Sequence, residues 1–133
     1  MDESAEVLLV VEDEADMRLL IRAHLRRDPR IHIAAEVDSA KPAIEMARTS
    51  HPGVVILDHS IEGEIMGLQA APQIKKAAPK GKILLFTAFD LAKEAAAEPA
   101  VDAFLLKSDI RKLLPKVQDL LGLSPVKVKT PIA

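Results

Sequence analysis

The sequence predicts an α/β fold, a parallel five-stranded sheet wound on both faces by helices, and two observations carry that prediction. The segments 7–11, 54–57 and 82–87 are apolar runs without polar alternation, as expected of strands buried on both faces. Between and after them lie segments whose apolar residues recur at helical spacing, so that strand and helix alternate five times. Parallel neighbours need crossover connections, and these are nearly always right-handed.

The first strand, Val7 to Val11, ends in Glu12, Asp13 and Glu14. From Ala15 to Arg27 the period becomes helical: Met17, Leu20, Ile21 and Leu25 share a face, and the arginines at 18, 22, 26 and 27 read as a solvated one. Asp28-Pro29 stops this helix. Residues 31–37, of mixed polarity, suit an edge strand. Ser39 is placed to cap a helix over 40–49 that carries Pro42 in its first turn and turns Ala43, Ile44 and Ala47 inward. Val54 to Leu57 is the third strand and runs straight into Asp58. A loop through Gly63 leads to a helix over 68–78, closed by Pro79 and Gly81. The fourth strand, 82–87, ends on Thr87. An alanine-rich helix over 90–98 has few large side chains to anchor it, which makes it one of the looser elements. The fifth strand, 101–106, ends at Lys107. A last helix, entered at Ser108 or Asp109, presents Leu113, Leu114, Val117, Leu120 and Leu121 on one face and stops at Gly122. Pro115 requires the regular helix to begin just before it or to kink. Residues 1–6 read as an N-terminal extension, 7–121 as the domain, and 122–133 as a mobile C-terminal tail.

At 133 residues the chain suits one domain, and with 49% apolar and 29% charged residues it lies well outside the disordered regime. It has no cysteine, which excludes disulfides and thiolate metal sites. An acidic N-terminus without an export signal or a membrane span points to the cytoplasm and away from membrane insertion. A net charge of −2, with three Phe and neither Trp nor Tyr, gives no case for direct nucleic-acid binding. No Gly-x-Gly-x-x-Gly follows the first strand and there is no P-loop, which disfavours dinucleotide and nucleoside triphosphate chemistry.

In an open parallel sheet the carboxyl ends of the strands share one rim, where ligands bind. That rim would carry Glu12, Asp13, Asp58, Thr87 and Lys107. Crowded carboxylates repel one another unless a cation or a proton intervenes, and Mg²⁺ suits a site of one or two carboxylates plus water. A lysine and a hydroxyl opposite them complete a site for a tetrahedral anion. Metal, lysine and hydroxyl around one carboxylate describe phosphoryl transfer to that carboxylate.

Four fragments then carry a resemblance: Leu-Val-Val-Glu-Asp-Glu at 9–14, Val-Ile-Leu-Asp at 55–58, Leu-Phe-Thr-Ala at 85–88 and Phe-Leu-Leu-Lys at 104–107. In this order, at these strand ends, they resemble the receiver domains of two-component response regulators from about Val7 to Leu121. The resemblance implies a flavodoxin-like (βα)5 fold with strand order 2-1-3-4-5. It implies that Asp58 is the phosphoacceptor, supplied by a phosphohistidine on a sensor histidine kinase or phosphotransfer protein. It assigns Asp13 as a direct Mg²⁺ ligand, Glu12 as one acting through metal-bound water, and the Ser60 carbonyl as a further ligand. Lys107 would pair with the phosphate, and Thr87 would move toward it, with small Ala88 leaving its N–H accessible. Phe104 would be the aromatic switch. A downstream protein would read the face of the fourth helix, fifth strand and fifth helix, which is also the face through which a homodimer could form. Catalysis would be limited to self-phosphorylation and loss of the group to water.

Three departures from the family bear on loop shape. Glu62 stands where a proline is usual and brings another acid toward the metal; Gly67 comes one residue late; and Ser108 replaces a cis proline after the lysine. Each assignment has a competitor. Asp58, Asp13 and Lys107 could form a structural ion-pair cluster, Glu12 could be solvated surface, Thr87 could satisfy backbone, and Phe104 could be plain core. His59 reads as a solvent-facing loop residue, since His24, His32 and His51 offer no ligand spacing. Against a stand-alone phosphorylated receiver stand a receiver-like docking module that is never phosphorylated and, on the same fold, a small hydrolase or flavin carrier.

Overall fold

The computed structural model describes residues 6–63 and 65–125, and for Glu6 and Val7 the backbone only. Five strands, β1 (Glu6–Val11), β2 (Ile31–Val37), β3 (Val54–Leu57), β4 (Lys82–Thr87) and β5 (Ala103–Leu106), alternate with five helices, α1 (Ala15–Leu25), α2 (Ala40–Ser50), α3 (Gly67–Ala77), α4 (Ala92–Ala97) and α5 (Leu113–Leu121). The strands form one parallel sheet in the order β2-β1-β3-β4-β5, which is the doubly wound order expected. The uninterrupted apolar runs are the three inner strands, and β3 is buried along its whole length.

Two apolar layers follow from the alternation of side chains along each strand. Leu9, Val11, Val55, Leu57, Ile83 and Leu85 meet α2, α3 and α4 on one face; Leu8, Val10, Val54, Ile56, Leu84 and Phe86 meet α1 and α5 on the other. The sheet is therefore held from both sides, and its rim inherits that rigidity.

Several boundaries differ from the sequence reading. Strand β1 begins at Glu6 and β5 only at Ala103. Helix α1 ends at Leu25, and Leu20 lies 46% exposed beside Leu19 instead of joining the core. Arg18 and Arg22 are not simply solvated: Arg18 donates to the Glu12 carbonyl at 2.8 Å and Arg22 to Glu36 at 2.6 Å, which fastens α1 to β1 and β2. Ser39 occupies the N-cap of α2, but its hydroxyl donates to Asp38 at 3.1 Å and caps nothing. Helix α3 contains Pro72, exposed, where the missing N–H falls on the solvent side. Helix α4 is shorter than expected, and Ala95 is its buried residue.

After β5 the chain makes a 3-10 segment, Lys107–Lys112, before α5, so Pro115 falls at the third helical position. No intrahelical bond is forfeited there, since the first N–H groups of a helix have no partner within it. The residues just past α5 are tied down: the Leu123 N–H donates to the Gln118 carbonyl at 2.9 Å, and Arg30 donates to the Ser124 carbonyl at 2.6 Å. The rest of the expected tail, 126–133, and most of the N-terminal extension, 1–5, lie outside the described residues.

Candidate functional site

Strand β3 delivers Asp58 to the rim, and the Asp58 N–H continues the ladder by donating to the Val11 carbonyl at 3.0 Å. Its main chain is therefore placed by the sheet; the residue is 3% exposed. Strand β1 delivers Glu12 in the same way, its N–H donating to the Val37 carbonyl at 2.9 Å. Glu12 is buried and Asp13, next in sequence, half-buried. Carboxylate oxygens of Glu12, Asp13 and Asp58 lie within 4.8 Å of one another.

Lys107 reaches this cluster from the end of β5. Its ammonium donates to Asp58 Oδ2 at 2.7 Å and stands 2.8 Å from Glu12 Oε1. The second approach is an ion-pair contact angled away from a hydrogen bond, so buried Glu12 Oε1 has no aligned donor. Burial pushes the Glu12 pKa up, helped by the negative charge of Asp58 and only partly opposed by Lys107 and the Glu14 N–H. For Lys107, burial would lower the pKa, but its contacts with Asp58 and Glu12 outweigh that and hold it above the ordinary value. The lysine is thus a fixed cation between two buried acids.

Thr87 ends β4 on the same rim, wholly buried, and its hydroxyl has no hydrogen-bond partner among the described residues. An orphaned buried hydroxyl costs free energy unless another partner arrives. Ala88, which follows it, is exposed. Phe104 sits on β5 opposite Leu85, half-buried, beside a hollow of about 230 Å³ that Ala92, Ala95 and Ala96 of α4 also line. Ser60 is half-buried, and its N–H donates to Asp58 Oδ1 at 3.4 Å. A second hollow, about 530 Å³, lies at the opposite end of the strands between 51–53 and 78–81 and contains no acid.

Glu62 is not part of the acidic cluster. Its N–H donates to the Asp38 carbonyl at 3.0 Å, and it forms a bridge with Ser39, which draws the loop after β3 toward the outside of the sheet. Nor is His59 solvent-facing: it is half-buried, and its Nδ1 accepts the Leu68 N–H at 3.2 Å. In the sequence Gly67 stands out only as a glycine one position late in the loop, with no sign of what it permits. A Cβ on it would overlap the Asp58 carbonyl oxygen and come within 2.7 Å of the His59 Cα, so only glycine lets α3 start against the strand end that carries Asp58. Its place one position late in the loop was the available signal.

Four segments thus bring three acids, one lysine and one unpartnered hydroxyl to a single rim. The profile of the response regulator receiver domain matches residues 8–118. The chain belongs to the response regulator receiver family. The response regulator protein VraR of Staphylococcus aureus strain Mu3 is 33% identical over 107 residues, which is 79% of this chain and 51% of VraR; the chain spans about half the length of the curated relatives it matches. Among solved structures, response regulator TrrA of Thermotoga maritima, in complex with Mg²⁺ and BeF, is 30% identical, with a TM-score of 0.76 over 87% of this chain and 99% of that one. A LuxR-family two-component response regulator from Aurantimonas is 25% identical, with a TM-score of 0.80 over 89% and 86% of the two chains. This receiver has the flavodoxin-like topology of those neighbours. No helix among its described residues is long and apolar enough to cross a membrane.

Proposed function

We propose that this receiver accepts a phosphoryl group on Asp58 from a phosphohistidine of a sensor histidine kinase or phosphotransfer protein, with Mg²⁺, and signals through the protein contacts that follow. The observation that carries this is the placement of Lys107 2.7 Å from Asp58 beside the Glu12, Asp13 and Asp58 cluster. The cluster suits a divalent ion: three acids face one ammonium, and a buried Glu12 oxygen has no aligned donor. Asp13, Asp58 and the Ser60 carbonyl would hold the ion directly, and Glu12 through water. When bound, it offsets negative charge on the phosphoryl oxygens.

The chain's own residues supply the rest. Asp58 Oδ attacks phosphorus as the bond from phosphorus to the histidine nitrogen breaks, so the imidazole leaves and an aspartyl phosphate remains. Lys107, already beside Asp58, pairs with a phosphoryl oxygen. Thr87, whose hydroxyl has no other partner, donates to another, and Ala88 offers its N–H beside it. Withdrawal of Thr87 toward phosphate empties space next to Phe104, and the α4, β5 and α5 face changes shape for a downstream protein or a second copy of the chain. Later attack by water on phosphorus returns the carboxylate.

The test is mass spectrometry after incubation with acetyl phosphate. The expected result is a gain of one phosphoryl group that requires Mg²⁺, does not occur when EDTA is present from the start and is absent in Asp58→Asn. No gain at saturating Mg²⁺ would leave the docking-module reading in its place.

A further inference from the structure

At the start of helix α3 the N-cap residue is Met66, whose side chain caps no N–H, while Gln69 Oε1 accepts the Met66 N–H at 2.9 Å and leaves the first donors of the helix itself to other partners. The first N–H groups of a helix have no partner inside it and must find one elsewhere. Here the Gly67 N–H donates to the main-chain carbonyl of His59 at 2.8 Å, and the Leu68 N–H donates to His59 Nδ1 at 3.2 Å. The next two, from Gln69 and Ala70, go to the Met66 carbonyl at 3.0 and 2.9 Å. One residue, directly after Asp58, takes the first two donors of the helix. Because Nδ1 accepts, the ring proton of the neutral imidazole sits on Nε2.

We infer that His59 is a positioning residue for the Asp58 rim, an inference that rests on the phosphoacceptor reading above. The loop of residues 60–66 leaves β3 and returns to it, and both of its ends are pinned at His59. The main-chain half of the clasp is open to any residue, and Gly67 permits its close approach. The side-chain half needs an acceptor at the position of Nδ1. It fixes the direction in which the chain leaves Asp58, and with it the Ser60 carbonyl on one side and the carboxylate facing Lys107 on the other. Among the described residues His59 makes no hydrogen bond or ion pair with the carboxylates or the ammonium, so it acts through the backbone and not in the chemistry.

The test compares His59→Ala, which deletes the acceptor, with His59→Asn, whose Oδ1 is as many bonds from Cβ as the histidine Nδ1. Amide exchange is followed on the unphosphorylated, metal-free protein. Exchange at Leu68 should quicken at least about tenfold in His59→Ala and stay within about threefold of the parent in His59→Asn, with Val55 and Ile74 unchanged. The initial rate of phosphorylation by acetyl phosphate at saturating Mg²⁺ should fall about tenfold in His59→Ala and recover in His59→Asn. Unchanged Leu68 exchange in His59→Ala overturns the inference. Faster exchange with an undiminished rate overturns it too, and so does a loss of protection that reaches Val55. A parent protein that gains no phosphoryl group at all defeats the phosphoacceptor reading instead, and the Leu68 exchange then still decides whether the clasp exists.

Discussion

At the scale of single residues, the charged groups of the rim and the residues packed behind them were unequally visible. Asp58, Glu12, Asp13 and Lys107 stand where an apolar run ends, so the sequence marks them by the break itself, and the structure brings all four together. His59 and Gly67 carry no such mark, because their role is a contact across the loop: an imidazole to the Leu68 N–H and a bare Cα against Asp58. Periodicity reports only what a residue's own element needs. Gly67→Ala follows directly. The added methyl meets backbone on Asp58 and His59, which cannot swing aside as a side-chain tip could, so α3 or the end of β3 must move. The expected cost is about 1–3 kcal/mol in urea unfolding. Phosphorylation by acetyl phosphate should slow by about tenfold or more, since a displacement of an ångström at a reacting group is enough for that. A variant with the parent's rate would show that the approach of α3 to Asp58 is not needed for the chemistry.

Among the elements, the join between α1, β2 and α5 is the one the sequence hid. Asp28 reads locally as the residue that stops a helix, yet it is 1% exposed and holds three elements together. Both of its oxygens face the Arg30 guanidinium, at 3.0 and 2.8 Å; Oδ1 also takes the Arg30 N–H at 2.9 Å, and Oδ2 takes the amide of buried Gln118 at 2.9 Å. Gln118, 90 residues away, is the polar intruder on an otherwise apolar helix face and was the one hint. The Arg30 guanidinium, opposed by burial and helped by Gln118, holds the Asp28 carboxyl at about 2. A carboxyl depressed in the folded state stabilises the fold above its unfolded pKa, and that contribution drains away as pH falls from about 5 toward 2. Asp28→Asn should therefore lower stability at pH 7 by on the order of 2 kcal/mol, and the difference from the parent should close as the acid limb is descended. Urea midpoints measured at several pH values check this; a gap that persists undiminished to pH 2 would mean that the Asp28 charge contributes nothing.

For the whole molecule, the sheet was legible because β1, β3 and β4 are packed on both faces and, after the first residue of β1 and of β4, carry no polar residue until the rim. Strand order was not legible locally, because no residue in a strand records which neighbour it pairs with; it came with the resemblance. What the assembled fold adds is an electrostatic conflict at a place that cannot relax. The layers on either side fix the ends of β1 and β3, so Glu12 and Asp58 are held close, and among the described residues Lys107 is the one cation paired with them. A divalent ion bound there, as proposed above, would relieve that conflict in the folded state and find no comparable site in the unfolded chain, so it would stabilise the fold by mass action. At a hundredfold excess over its dissociation constant the gain is about 2.7 kcal/mol. For a chain of this size that raises the melting temperature by roughly 8–10 °C. The rise should be reversed by EDTA and lost in Asp13→Asn, a change at a half-exposed position that leaves both core layers untouched. It should grow in Lys107→Met, where the two buried acids lose their cation and depend on the metal instead. A rise of equal size in the parent and in Asp13→Asn would place the ion elsewhere and remove the metal from the account of this rim.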